Sequence, residues 1–171
     1  MASLKTAGAQ HSRSPIDAKW GGDGRLFQVY EGATDVVINH NTGIHSGLVI
    51  SATGLPSNGF VYTNNLTRHN AYGVFGDGGY IGTVALNQYY PGSTFSRNVL
   101  AEMPSDVSSS QYPKDNFFPP SFNRLFVDVA RRNYRLASTS PYKRRATDGK
   151  DIGCDIDELE AATAWFNPSG V

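Results

Sequence analysis

Apolar and polar residues alternate over short runs along this chain, and turn residues separate the runs. The alternation is clearest in VVIN (36–39) and FVYT (60–63), where a period of two predicts strands with one buried face. The 18 glycines suit the many tight turns that short strands need. We therefore expect strands at residues 25–30, 35–41, 47–52, 59–65, 72–76, 80–86, 94–102, 124–130 and 133–137.

Residues 157–166 are the one stretch whose apolar residues are spaced as in a helix. Leu159, Ala162 and Phe166 recur at this spacing, and Asp157 is placed to cap the N-terminus. The sequence NPSG that follows is typical of a helix end. We expect this helix to close one end of the domain.

Three segments share one template. VVINHN (36–41), FVYTNN (60–65) and STFSRN (93–98) each place an asparagine three residues after an apolar strand residue, so that Asn41, Asn65 and Asn98 follow one another after 24 and then 33 residues. Strand repeats with a period in the twenties are typical of stacked coils that bury their inward residues against neighbouring coils. Asparagine at each corner tolerates a left-handed backbone, and stacked amides can bond from coil to coil. We interpret the three asparagines as a structural ladder.

Longer segments resemble a known family. GGDGRLFQVYEGATDVVINHNT (21–42), GFVYTNN (59–65) with HNAYGVFGDGG (69–79), and NYRLASTSPYKRRATDGKDIGCDIDELEAA (133–162) resemble bacterial right-handed parallel β-helix repeat proteins of the pectate-lyase-like type. The last segment is similar to the C-terminal signature of that family. The resemblance implies an all-β solenoid of about three to four coils with a short C-terminal capping helix. It also implies that the chain corresponds to the C-terminal portion of longer, secreted or cell-surface relatives.

The length of 171 residues fits a single domain. Residues 1–13 show no hydrophobic period, and we interpret them as a flexible leader or an artificial arm before one domain at 14–171. This N-terminus lacks the apolar centre of a signal peptide, and no apolar run is long enough to span a bilayer. We expect no membrane partner.

Fifteen basic and fifteen acidic residues give a formal net charge of zero. Without a basic excess, we expect no nucleic-acid partner. The lone cysteine, Cys154, excludes an internal disulfide, and we interpret it as a small buried side chain. The aromatic segment 111–126 either stacks on sugar rings or covers the core, and burial is the favoured interpretation because aromatic side chains usually bury.

The template also predicts which residues point outward. If Ile38, Tyr62 and Phe95 are buried, a neutral strip faces solvent, formed by Val37, Asn39, Val61, Thr63, Thr94 and Ser96. This strip lacks the carboxylate pair of a glycosidase and the cation and base of a uronate lyase.

A second register offers candidate chemistry. His45, His69 and Glu102 each stand four residues after a ladder asparagine, so they are expected to stack in one column. Such a column could hold a zinc ion or relay protons, and otherwise it is a hydrogen-bonded surface corner. We treat these three and Asp77 as catalytic candidates, and we expect no cofactor unless the column holds a divalent metal. The neighbouring candidates for ligand binding are Arg68, Asn70 and Tyr72.

These observations leave three functions open. The first is a carbohydrate-directed module that binds or processes a polysaccharide, an expectation that comes from the resemblance. The second is a structural module that self-associates into a homo-oligomer through an exposed end or sheet face. The third is a hydrolase that uses loop carboxylates, for which the candidates are Asp77, Glu102, Asp115 and Asp128.

Overall fold

The computed structural model describes residues 24–164, so residues 1–13 of the expected leader lie outside the described residues. The strands are β1 (Phe27–Tyr30), β2 (Val37–Asn39), β3 (Thr42–Gly43), β4 (Ile50–Thr53), β5 (Val61–Thr63), β6 (Leu66–Arg68), β7 (Val74–Gly76), β8 (Tyr80–Ile81), β9 (Thr94–Ser96), β10 (Val99–Ala101), β11 (Phe126–Asp128) and β12 (Asn133–Leu136). The α-helices of this part of the chain are α1 (Thr83–Tyr89) and α2 (Ile156–Thr163), and short 3-10 turns lie at Ser109–Gln111 and Asn123–Leu125.

Parallel pairing joins strands that are far apart in sequence. β4 pairs with β1 and β7, β5 with β2 and β9, and β6 with β3 and β10. In the sheet of β2, β5 and β9, three residues lie in register and are buried, namely Ile38, Tyr62 and Phe95. Val37, in contrast, is 64 % exposed. The alternation in the sequence therefore identified these three inward residues, but Thr63, which it placed on the solvent-facing strip, is also buried.

The prediction of a right-handed parallel β-helix of three to four coils is wrong. The described residues form four separate small sheets, of which one is mixed and one antiparallel, together with two short α-helices. The longer of the two repeat steps accommodates the antiparallel strand β8 and helix α1. Beyond Ala101, four prolines between residues 104 and 120 lack the N–H that a sheet ladder needs, and the remaining strands form the antiparallel pair β11–β12.

Several predicted elements also differ from the structure. Residues 80–86 were expected to be a strand, but only Tyr80–Ile81 is extended, and α1 begins at Thr83 after Gly82, which has a positive φ of 58°. The C-terminal helix begins at Ile156 rather than at Asp157. Its N-cap is Asp155, whose carboxylate accepts the N–H of Glu158 at 3.1 Å. The short strands β3 and β6 lie just beyond the strands expected at 35–41 and 59–65, and the strand expected at 94–102 is divided into β9 and β10.

The core is built around stacked aromatic rings. The ring of Tyr62 lies 5.2 Å from that of Phe95, and the ring of Phe60 lies 4.2 Å from that of Tyr90. Helix α1 contributes Ala85, Leu86 and Tyr89 to the same cluster. The aromatic segment 111–126 packs over the core, with Tyr112, Phe122 and Phe126 buried. None of the helices among residues 24–164 is long and apolar enough to cross a bilayer.

The ladder asparagines form a continuous hydrogen-bonded row. Asn41 Nδ2 donates to Asn65 Oδ1 at 3.0 Å, and Asn65 Nδ2 donates to Asn98 Oδ1 at 3.2 Å. The row extends to Asn116, which the sequence did not indicate, because Asn98 Nδ2 donates to Asn116 Oδ1 at 3.0 Å. Each backbone N–H of the first three also donates to the next Oδ1, so the row satisfies polar groups that water cannot reach.

The left-handed backbone at each corner belongs to the residue before the asparagine rather than to the ladder asparagine itself, which corrects the expectation above. Positive φ angles of 53° to 64° occur at His40, Asn64, Arg97 and Asp115. The corner thus turns at the preceding residue, and the ladder amide points inward to its partners.

Hydrogen bonds connect the C-terminal segment to a residue of β3 and to a residue beside β5. Asn64 Nδ2 donates to Thr147 Oγ1 at 2.8 Å, and Asn64 Oδ1 accepts the backbone N–H of Thr147 at 2.9 Å. Thr42 Oγ1 accepts the N–H of Cys154 at 2.9 Å. Cys154 itself is only partly buried, which corrects the expectation of a buried side chain.

Candidate functional site

The predicted column of His45, His69 and Glu102 does not converge. His69 is fully buried and donates from Nδ1 to the carbonyl of Asn70 at 2.8 Å. Its Nε2 therefore accepts the hydroxyl hydrogen bond of Tyr112 at 2.7 Å, and the ring is neutral. Both nitrogens are occupied by protein partners, so His69 holds the core together rather than facing a substrate.

The other two members have separate partners. His45 donates from Nε2 to the carbonyl of Arg68 at 3.1 Å, and its Nδ1 accepts from Asn70 at 3.2 Å. Glu102 accepts from Arg68 Nε at 2.9 Å and from the N–H of Phe122 at 2.9 Å. Arg68 and Asn70 are thus parts of this hydrogen-bonded corner rather than groups aimed at a ligand.

A metal site is therefore unsupported at this column. Across residues 24–164, no group of three or more His, Cys, Asp or Glu side chains is arranged to hold a metal ion. The backbone explains the divergence, because Glu102 has a positive φ of 59° whereas neither histidine does. Equal sequence spacing therefore does not give equal side-chain direction.

The half-buried His45 and the buried His69 predict a loss of stability in mild acid. Burial lowers the pKa of both His45 and His69, so below about pH 6.5 the unfolded chain binds protons that the folded chain does not. We expect the free energy of unfolding to be highest near pH 7–8 and to fall as the pH drops through about 6.5, by at most about 1.4 kcal/mol per pH unit for each group. Urea unfolding between pH 5 and 8 measures this. The slope should flatten in His45→Gln, and stability that rises on acidification would contradict the assignment.

The outer side of the first sheet brings exposed aromatic and polar groups together. The register places Gln28 beside Ser51 and Ser51 beside Phe75. In the next row, Tyr30 lies beside Thr53, whose hydroxyl donates to the Asp77 carboxylate. We call this surface the first-sheet face; its residues are Arg25, Gln28, Tyr30, Ser51, Thr53, Tyr72, Phe75 and Asp77.

Tyr72 and Phe75 form the aromatic part of this face. Tyr72 is 49 % exposed, and its ring centroid lies 5.1 Å from that of Phe75. Val74 and Gly76, on either side of Phe75, are buried, so Phe75 points away from the core. The pair offers an apolar surface that solvent reaches.

Polar groups surround the aromatic pair. Arg25 donates to Tyr30 Oη at 3.4 Å and to Ser51 Oγ at 3.3 Å, and Tyr30 donates to Ser51 at 3.0 Å. Gln28 and Asp77 are exposed. Of the sequence candidates, only Tyr72 and Asp77 lie on this face. The period-two alternation in β1, β4 and β7 could have indicated Gln28, Tyr30 and Phe75.

The loop carboxylates do not assemble into a pair. Glu102 is held by Arg68, and Asp128 accepts from Arg131 at 3.2 Å. Asp115 lies at a left-handed corner whose carbonyl accepts the N–H of Arg97. Asp77 directly follows β7, whereas Glu102 follows β10 of another sheet. The geometry therefore gives no support to a hydrolase that uses these four carboxylates together.

A cleft of about 910 Å³ separates helix α2 from the β11–β12 pair. Ion pairs such as Arg135–Asp157 at 2.6 Å and Lys143–Asp151 at 2.9 Å line it, so its charges are largely matched. Burial, together with Asp155, raises the pKa of the Cys154 thiol, which disfavours a nucleophilic thiolate.

His40 lines the same cleft but cannot serve as a base for that thiol. Its Nδ1 lies 3.1 Å from the carbonyl of Gly153, and its Nε2 lies 3.1 Å from a carboxylate oxygen of Asp148. Both ring nitrogens thus face protein acceptors rather than the thiol. Among the residues that the structure describes, the cleft therefore lacks the cysteine–histidine contact that activates a thiol nucleophile.

No protein-family model, curated protein or solved structure matches this chain.

Proposed function

We propose that the protein binds a carbohydrate chain on the first-sheet face. The observation that carries the proposal is the solvent-accessible Tyr72–Phe75 pair beside hydrogen-bonding groups on the parallel strands β1, β4 and β7. The apolar faces of sugar rings pack on aromatic side chains, whereas their hydroxyls need donors and acceptors such as those of Gln28, Thr53 and Asp77.

The arrangement supports binding more than turnover. Both glycosidase mechanisms need two carboxyl groups that flank the scissile bond. Asp77 is the single carboxylate among the eight residues of the face, and the neighbouring carboxylate of Glu31 lies against the backbone of Gly54. Arg25, the cation of the face, is directed to Tyr30 and Ser51. Hydrolytic products are therefore not expected from this surface.

Replacement of Tyr72 by alanine is the direct test. We expect Tyr72→Ala to weaken binding of an oligosaccharide about tenfold, equivalent to about 1.4 kcal/mol, because one of the two stacking rings is lost. Calorimetric titration with a panel of neutral, amino and uronate oligosaccharides measures this. Reducing ends and the ultraviolet absorbance of unsaturated products should stay at background.

A matched control lies on the same sheet. Tyr80 is 42 % exposed and pairs with Gly76, so it is on the opposite side of the sheet from Phe75. Tyr80→Ala should leave binding unchanged. Equal losses in both variants, or no binding of any oligosaccharide by the folded protein, would overturn the proposal.

Self-association is a second candidate, supported by a different observation. Within residues 24–164, β1, β2 and β3 each lie at the edge of their sheet, so the three outer edges have no strand partner there. Such edges can pair with a second copy of the chain. We expect light scattering at high concentration to give twice the monomer mass, and Val37→Lys to lower it. Val84→Lys, at an exposed position on α1, is the control, and a monomeric protein at every concentration would exclude this function.

A further inference from the structure

We infer that the carbohydrate bound by the first-sheet face is an amino sugar with free ammonium groups; this inference rests on the proposed function. It comes from the charge at the end of the face where β1, β4 and β7 stop. The carboxylates of Glu31 and Asp77 both lie at this end, on either side of β4.

The position of each carboxylate follows from its contacts. Glu31 follows β1, its N–H donates to the carbonyl of Thr53, and its carboxylate lies over Gly54, in the space that a side chain there would occupy. Asp77 follows β7, and its carboxylate accepts from the hydroxyl of Thr53. The two acidic groups therefore approach the end of β4 from opposite sides.

Neither carboxylate has a cationic partner among residues 24–164. Among the residues that the structure describes, no cation forms an ion pair with Glu31 or Asp77. Arg25 is directed to Ser51, two residues before Thr53, and to the hydroxyl of Tyr30, which itself donates to Ser51. The two carboxylates therefore add negative charge at the strand ends, which attracts an ammonium group and repels a uronate.

The aromatic pair adds to the same preference. Tyr72 is exposed just before β7, and the half-buried Phe75 lies on β7, the strand that leads into Asp77. A cation above an aromatic ring is attracted by the electrons of the ring face, whereas a carboxylate is not. Stacking and charge therefore favour one ligand class, a chain of deacetylated glucosamine-type sugars.

The test compares two hexasaccharides that differ only in their amino groups. At about pH 6, where an amine of this kind is protonated, calorimetric titration should show a glucosamine hexasaccharide binding roughly three- to tenfold tighter than its N-acetylated counterpart. Added salt should reduce this preference, because it screens exposed charges.

Two variants assign the preference to its residues. Asp77→Asn and, independently, Glu31→Gln should each reduce it without weakening the binding of the N-acetylated chain. Asp106→Asn, at an exposed loop position, should leave the preference intact. Equal binding of both chains, or tighter binding of a uronate hexasaccharide, would overturn the inference while the proposed function stands. Binding of neither chain, nor of any other oligosaccharide, would overturn both.

Discussion

Replacement of Asn65 by alanine is expected to lower the free energy of unfolding by about 3–5 kcal/mol, because it leaves several buried hydrogen-bonding groups without partners. Asn65 is fully buried. Its Nδ2 donates to the carbonyl of Ile38 at 2.9 Å and to Asn98, and its Oδ1 accepts the N–H of Asn41 at 2.9 Å. Asn98 and Ile38 are buried, so water does not replace the bonds that Asn65 makes to them.

Asn41 provides the control for this prediction. It stands at one end of the ladder, is partly exposed, and donates from Nδ2 to Asn65 Oδ1 and to the carbonyl of Asn39. Asn41→Ala should therefore cost only about 1 kcal/mol, since water can replace the lost contacts. Urea unfolding of both variants measures the difference. Similar losses at the two positions would show that the row does not act as a buried network.

The part of the fold that the sequence predicted is the part that depends on repetition. The shared template aligned Ile38 with Tyr62 and Phe95, and these residues are paired and buried as expected. Parallel strands with a period of two carry this information in their residue order. Asn116 lacks the template before it, so the fourth position of the ladder was not visible.

The fold class was mispredicted where local backbone preferences override the repeat. Gly78 and Gly79, both with positive φ, turn the chain into the antiparallel strand β8, and α1 follows after Gly82. A local turn of this kind does not alter the alternation of apolar residues. The pattern at 80–86 therefore predicted another strand, although most of this segment is helical.

The candidate site was predicted least well, because side-chain direction at corners depends on φ. Glu102 and Asn70 have positive φ angles of 59° and 53°. Glu102 contacts Arg68, whereas His69, whose φ is not positive, contacts Tyr112 in the core. Tyr72 and Asp77 were identified for other reasons, and the register that joins them to Phe75 became visible only in the paired strands.

The second large loss of stability is expected at Gly73, which packs against the His69–Tyr112 contact. Gly73 has a positive φ of 57°, and a methyl group added there would overlap Tyr112 Oη and His69 Nε2. Its N–H donates to the carbonyl of His69 at 3.0 Å, and its carbonyl accepts the N–H of Val49 at 2.8 Å, so the backbone cannot move away freely. We expect Gly73→Ala to destabilise the fold by about 3–5 kcal/mol, the sum of left-handed strain and overpacking.

Gly92 separates those two contributions. It has a similar φ of 70°, but nothing lies within 4 Å of an added methyl group. Gly92→Ala should therefore cost only the strain of about 1–2 kcal/mol, and the excess at Gly73 reports the overlap with the buried pair. Combining Gly73→Ala with Tyr112→Phe removes the overlapping hydroxyl, so the double variant should lose less stability than the two single variants added together. Strict additivity in urea unfolding, or equal losses at Gly73 and Gly92, would show that the methyl group does not meet the His69–Tyr112 pair.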